Sequence, residues 1–154
     1  MLQELGYAGR HYTSLASDRL IAMATSVPAS VARLDDQIGT LAPNKRADIV
    51  VIDNHTTRAN DPSVHTPLDR VVRATPADVV LVVVGGEALY GDPAVLARFL
   101  PPGAKTDQIT VCGVQKDIYL GQSAAAGRSL SQIQDALRAS LARAGSSLPD
   151  IECD

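Results

Sequence analysis

Two uninterrupted apolar runs stand out along the chain: Ile49-Val50-Val51-Ile52 and Val79-Val80-Leu81-Val82-Val83-Val84. Both are rich in β-branched residues, which suit a pleated backbone. Neither alternates with polar positions, so each is expected to be a strand covered on both faces. Asp48 and Asp53 bound the first run. Gly85-Gly86 follows the second at once, and then Glu87-Ala88-Leu89-Tyr90-Gly91. That order predicts a tight hairpin with both turn residues at positive φ. Ahead of the first run, Pro43 presets φ for a β-turn and Asn44 tolerates positive φ at the next position. A further strand is expected over residues 109–114, with Cys112 as a small packed residue in it.

Helical spacing fills much of the rest. Leu2 and Leu5 predict a short N-terminal helix ending near Gly6 or Gly9, with nothing to cap its start. Ser14 or Ser17 is placed to cap a helix through Leu20, Ile21, Met23 and Ala24. Pro28 suits the first turn of another helix over 29–34, and it should push Val27 out of the α region. Thr66 is placed to cap one or two helical turns from Pro67 to Val72. Asp92-Pro93 opens a helix with Val95, Leu96, Phe99 and Leu100 on its apolar face. Ser129 and Gln132 match a capping box, ahead of Leu130, Ile133, Leu137 and Leu141 on one face. Gly145 suits the C′ position of that helix, and residues 146–154 are expected to be extended or frayed. Residues 54–66 form a long polar loop holding His55, Asn60, Asp61 and His65.

Composition narrows the function classes. A net charge of −3 gives no electrostatic case for nucleic acid or an anionic membrane. With one Phe and no Trp, stacking platforms for bases are not expected. Val79–Val84 is far too short to span a bilayer. Met1 is followed by Leu2-Gln3-Glu4-Leu5, so no secretory signal is expected there. Two cysteines, Cys112 and Cys153, make neither a disulfide framework nor a zinc pattern, which favours a reducing cytoplasm.

Candidate chemistry is sparse. His11, His55 and His65 do not share a metal-ligand spacing, and His55 and His65 with Asp53 and Asp61 make at most a weak loop site. Lys45-Arg46 and Asp35-Asp36 fit solvated surface pairs. Glu152-Cys153-Asp154 sits at a terminus that does not preorganise a site. No nucleophile elbow or phosphate-binding glycine loop occurs. No catalytic, cofactor-binding or metal-ligating residue is therefore assigned in this chain.

The order of features carries more than their chemistry. Leu20-Ile21-Ala22-Met23-Ala24-Thr25, Pro28-Ala29 and Ile38-Gly39-Thr40-Leu41-Ala42-Pro43 come first. Lys45-Arg46-Ala47-Asp48-Ile49-Val50-Val51-Ile52-Asp53, Val82-Val83-Val84-Gly85-Gly86 and Leu89-Tyr90-Gly91 then follow. Over about residues 13–91 this resembles the C-terminal end of a metal-dependent amidohydrolase of the cytosine-deaminase and chlorohydrolase-like kind. Asn44 stands where that family usually has Gly, and Val27 where it often has a polar residue.

The resemblance implies a (β/α)8 barrel with one or two divalent metals, zinc or iron, in the complete enzyme. It also implies a composite β-sandwich built from the first and last strands. Metal-activated hydroxide would attack a C–N carbon, with an Asp of the last barrel strand moving the proton. The family's metal ligands and that Asp precede the matched region, and none maps onto a residue here. The expected fold is thus mixed α and β and incomplete. Residues 1–37 would be terminal barrel helices, 38–91 the C-terminal half of the sandwich, and 92–154 an extension with helices and a strand. The complete enzyme would act on a small-molecule substrate. The chain alone would be inactive, and it would seek a missing N-terminal barrel segment or self-associate through open strand edges. A non-enzymatic module pairing with another chain through those edges is the alternative.

Overall fold

The computed structural model describes residues 1–53, 64–121, 127–148 and Cys153. Three helices come first: α1 (Leu2–His11), α2 (Ser17–Ala24) and α3 (Ser26–Val31). They are followed by β1 (Ile49–Ile52), α4 (Pro67–Val72), β2 (Val79–Val84), β3 (Glu87–Gly91) and α5 (Pro93–Leu96). β4 (Asp107–Val111), β5 (Val114–Ile118) and α6 (Leu130–Arg143) complete the order. The strands make one antiparallel sheet in the order β1-β2-β3-β5-β4. The chain is thus mixed α and β, as its patterning implies.

The β2–β3 hairpin forms on Gly85 and Gly86, at φ 59° and 89°. Its turn is held to the segment before β1: the Gly85 N–H donates to Asp48 Oδ1 and the Gly86 N–H to the Ala47 carbonyl. Gly91 ends β3 where a Cβ would lie 2.4 Å from the Val80 carbonyl oxygen. Only glycine permits that approach.

β1 departs from expectation. It pairs with β2 alone, at the edge of the sheet, and Val50 and Val51 are exposed. Its apolarity is thus not satisfied within the described residues. Residues 109–114 are not one strand either. Cys112 and Gly113, at φ 51° and 80°, turn the chain between β4 and β5. β5 then pairs with β3 through Tyr90–Ile118 and Gly91–Asp117, so the sheet continues past residue 91.

The cysteines also differ from expectation. Cys112 and Cys153 form a disulfide, with Cα atoms 5.4 Å apart and a sequence separation of 41. Cys112 is therefore not a packed free thiol. Residues 149–152 and 154, where an extended or frayed tail is expected, lie outside the described residues.

α1 runs through Gly6 and Gly9 to His11, against the expected early stop. Packing explains it: a Cβ on Gly9 would meet Val72 Cγ1 at 2.5 Å, so the glycine lets α1 lie close to α4. The uncapped start has the Met1 ammonium 2.5 Å from Glu4 Oε2. α3 includes Val27 and Pro28, so Val27 is helical after all, and Pro28 falls in the first turn. The helix ends on Arg33 at φ 57°, with Arg33 N–H donating to Ser30 and Leu34 N–H to Ala29, a Schellman end without glycine.

Lys45 is not simply solvated. Its Nζ donates to the Asp35 carbonyl and to Thr40 Oγ1, at 2.6 Å each, tying the Pro43-Asn44 turn back to the preceding bend. Asn44 adopts φ 68°, as expected.

Two small cores form. Leu5, Leu20 and Val72 join α1, α2 and α4; Leu81, Ala88 and Leu96 join β2, β3 and α5. Phe99, expected on the apolar face of α5, is exposed. α6 starts on the Ser129–Gln132 capping box and ends on Gly145 at φ 70°. None of its residues is fully buried: Leu130, Ile133 and Leu141 are half-buried and Leu137 is exposed.

Candidate functional site

A cleft of about 510 Å3 lies between α1, α2 and α4 and is lined by Gly9, Thr13, Leu15, Ser17, Leu20, Asp69 and Arg73 among others. Its polar centre is Asp69, the N3 residue of α4. Thr66 caps α4 as expected, and the Thr66 side chain and Asp69 carboxylate form a reciprocal capping box. Asp69 Oδ2 accepts from the His65 and Thr66 N–H groups and from Thr66 Oγ1, while Oδ1 accepts from Ser17 Oγ at 2.5 Å. Ser17 is thus not the cap of α2, whose N-cap is Ala16; its hydroxyl bridges α2 to α4 instead.

The Ser17 hydrogen bond, followed by those from Thr66 and His65, holds the Asp69 carboxyl down at about 2 against the opposing effect of burial. A carboxylate so saturated with donors is a weak base and serves as a structural link. Its folded pKa lies below the unfolded value, so its contribution is complete above about pH 4 and is lost as pH falls toward 2. Ser17→Ala should move the Asp69 titration up toward the ordinary carboxylate range, read by carboxyl NMR. Thr66→Ala should cost about 1 kcal/mol in denaturant titration. An unmoved Asp69 titration in Ser17→Ala would refute the bridge.

The second polar feature is buried. Lys116 on β5 is 1% exposed, and its Nζ donates to the Val79 carbonyl at 2.7 Å and to Asp92 Oδ1 at 2.5 Å. Asp92 is the N-cap residue of α5 but makes no side-chain cap bond, because its carboxylate is used on Lys116. Burial, and then the Asp92 charge, push the nearby Tyr90 phenol up. Patterning missed this pair, because a lysine in an alternating segment is ordinarily assigned to the surface.

The candidate ligands do not converge. His11 stacks on Tyr7 with ring centroids 3.9 Å apart, and its Nδ1 lies 2.9 Å from the Tyr7 carbonyl oxygen. His65 contributes its backbone N–H to Asp69. Cys112 and Cys153 are bonded to each other. His55, Asp61, Glu152 and Asp154 lie outside the described residues. Among the described residues no group of three His, Cys, Asp or Glu side chains could hold a metal ion. No helix among them is long and apolar enough to cross a membrane.

Helices feeding a five-stranded antiparallel sheet, with polar links between the elements, define a mixed α and β chain. Its lineage is set by comparison: residues 1–89 of the 154 match the amidohydrolase family, and the chain belongs to that family. Over 75 residues, 47% of the chain, it is 36% identical to the 5-methylthioadenosine/S-adenosylhomocysteine deaminase of Symbiobacterium thermophilum. The match takes in 16% of that protein's length.

Proposed function

We propose that this chain is the C-terminal part of a metal-dependent amidohydrolase that hydrolyses non-peptide C–N bonds in small molecules, with its catalytic metal site in residues outside this sequence. The observation that carries this is the pairing of a family match over residues 1–89 with coverage of 16% of the deaminase's length. Residues 1–37 then serve as terminal barrel helices, 38–91 as the C-terminal part of a composite sandwich, and 92–154 as an extension. Zinc or iron is the metal expected in the complete enzyme, which would be cytoplasmic. Deamination of adenine-containing thionucleosides is the first chemistry to test, given the relative's name, with cytosine deamination and dechlorination next.

Exposed surface supports the same proposal. Val31, Leu41 and Val50 are among the exposed apolar side chains, and β1 is an edge strand among the described residues. That edge also favours the second reading, a non-enzymatic module that pairs with another chain by strand addition.

The test combines the purified chain with the polypeptide encoded in frame upstream of Met1. The chain alone should self-associate, bind metal substoichiometrically and release no ammonia. Together the two should form a stoichiometric complex that holds metal and releases ammonia. Stoichiometric metal and C–N hydrolysis by the chain alone would overturn the proposal. A sharp monomer peak with cooperative unfolding and no complex would overturn it too.

A further inference from the structure

We propose that Cys112 and Cys153 form a reversible thiol–disulfide latch that fastens α6 and the chain's C-terminal end to the β4–β5 turn. Both cysteines lie beyond the family match at 1–89, so the latch is a device of the extension and does not depend on the hydrolase reading.

Three observations converge on it. First, Cys112 occupies the opening position of a two-residue hairpin turn at φ 51°, with Gly113 at φ 80°. Such turns favour Asn, Asp or Gly, and a cysteine there bears the strain of positive φ. The turn itself gains nothing from a sulfur, whereas the bond to Cys153 does. Second, the bond closes a loop that carries α6, whose apolar stripe is only half-buried, with Leu137 exposed. None of its residues is fully buried, and a described tie to the sheet is the Leu130 N–H to Asp107 Oδ2, at 3.2 Å. Third, the Cys153 end is exposed, and neither cysteine belongs to the two cores around Leu20 and Leu96. Reduction therefore reaches the bond readily and leaves the sheet and the helical cluster intact.

The exchange balances with a dithiol reductant. One thiolate of the dithiol attacks Cys153 Sγ, the Cys112–Cys153 bond breaks, and Cys112 leaves as a thiolate that takes a proton from water. The second thiol of the reductant then attacks the mixed disulfide, releasing the Cys153 thiol and a cyclic disulfide. Re-formation consumes an oxidised low-molecular-weight disulfide and returns two of its thiols. Once released, α6 is a 14-residue helix with no fully buried residue. Helices of that length are marginal in water, so it unravels in part.

The full 154-residue chain tests this directly. With oxidised glutathione, thiol alkylation and intact mass should show no free thiol on the monomer. With dithiothreitol, two thiols should appear. Amide exchange across the C-terminal half of α6 should then accelerate by at least about tenfold, with the β2–β3 hairpin unchanged. Cys112→Ser and Cys153→Ser should each show the fast exchange without reductant. Two free thiols under oxidised glutathione, a disulfide between two chains, or α6 exchange indifferent to reductant would each overturn the latch.

Discussion

Leu96→Ala is expected to destabilise the sheet by about 2–5 kcal/mol, measured as a lowered urea midpoint at fixed protein concentration. Leu96 is 0% exposed and meets Leu81 and Ala88, with Val83, Val95, Leu100 and Tyr119 packed around. It belongs to α5, a single turn of helix that touches β2, β3 and β5 at once. Removing three carbons there leaves a cavity that the surrounding strands cannot close, because their hydrogen-bond ladders fix their spacing. Leu137→Ala on exposed α6 is the control and should stay within about 0.5 kcal/mol of the parent. Leu20→Ala strikes the separate helical core, so its effect should add to that of Leu96→Ala. A Leu96→Ala chain as stable as the control would show that the sheet core is not where the fold is held.

The elements that were legible in the sequence are those whose cause is local. Gly85-Gly86 between apolar runs has one good solution, and the hairpin adopts it. Thr66 before Pro67 and Ser129 with Gln132 carry their own capping bonds, and both helices start there. Asn44 takes positive φ because the turn after Pro43 demands it. Thr66-Pro67-Leu68-Asp69 carries a further local signal, since an acidic N3 residue completes a capping box.

What could not be read depends on distant partners. α1 runs through two glycines because Gly9 lies against Val72, more than sixty residues away in sequence. Residues 109–118 hide a turn because Ile109, Val111 and Val114 continue an apolar pattern across Cys112-Gly113. The disulfide needs a closure over 41 residues that no spacing rule foretells for a single pair. β1 carries the pattern of a strand covered on both faces but sits at the edge of the sheet among the described residues. The candidate site follows the same logic. Family membership was legible in the order of turns and strands, whereas Asp69, Lys116 and Asp92 gain their roles from contacts between elements.

Asp92→Ala is expected to cost about 3 kcal/mol, because it strands a buried ammonium. Lys116 Nζ would keep the Val79 carbonyl and lose its one charged partner among the described residues. The loss cannot be ascribed to helix capping, since the Asp92 side chain makes no cap bond to α5. Asp92→Asn should be milder, because its amide oxygen can still accept from Nζ. Lys116→Met should be milder again: it fills similar volume, removes the buried charge and leaves Asp92, 36% exposed, free to be hydrated. In the Asp92→Ala background, Lys116→Met should therefore recover most of the lost stability. The double-mutant cycle in urea should show a coupling of about 1–3 kcal/mol. An Asp92→Ala chain within about 0.5 kcal/mol of the parent, or a double mutant as unstable as the sum of the singles, would mean that the buried lysine is satisfied without its carboxylate.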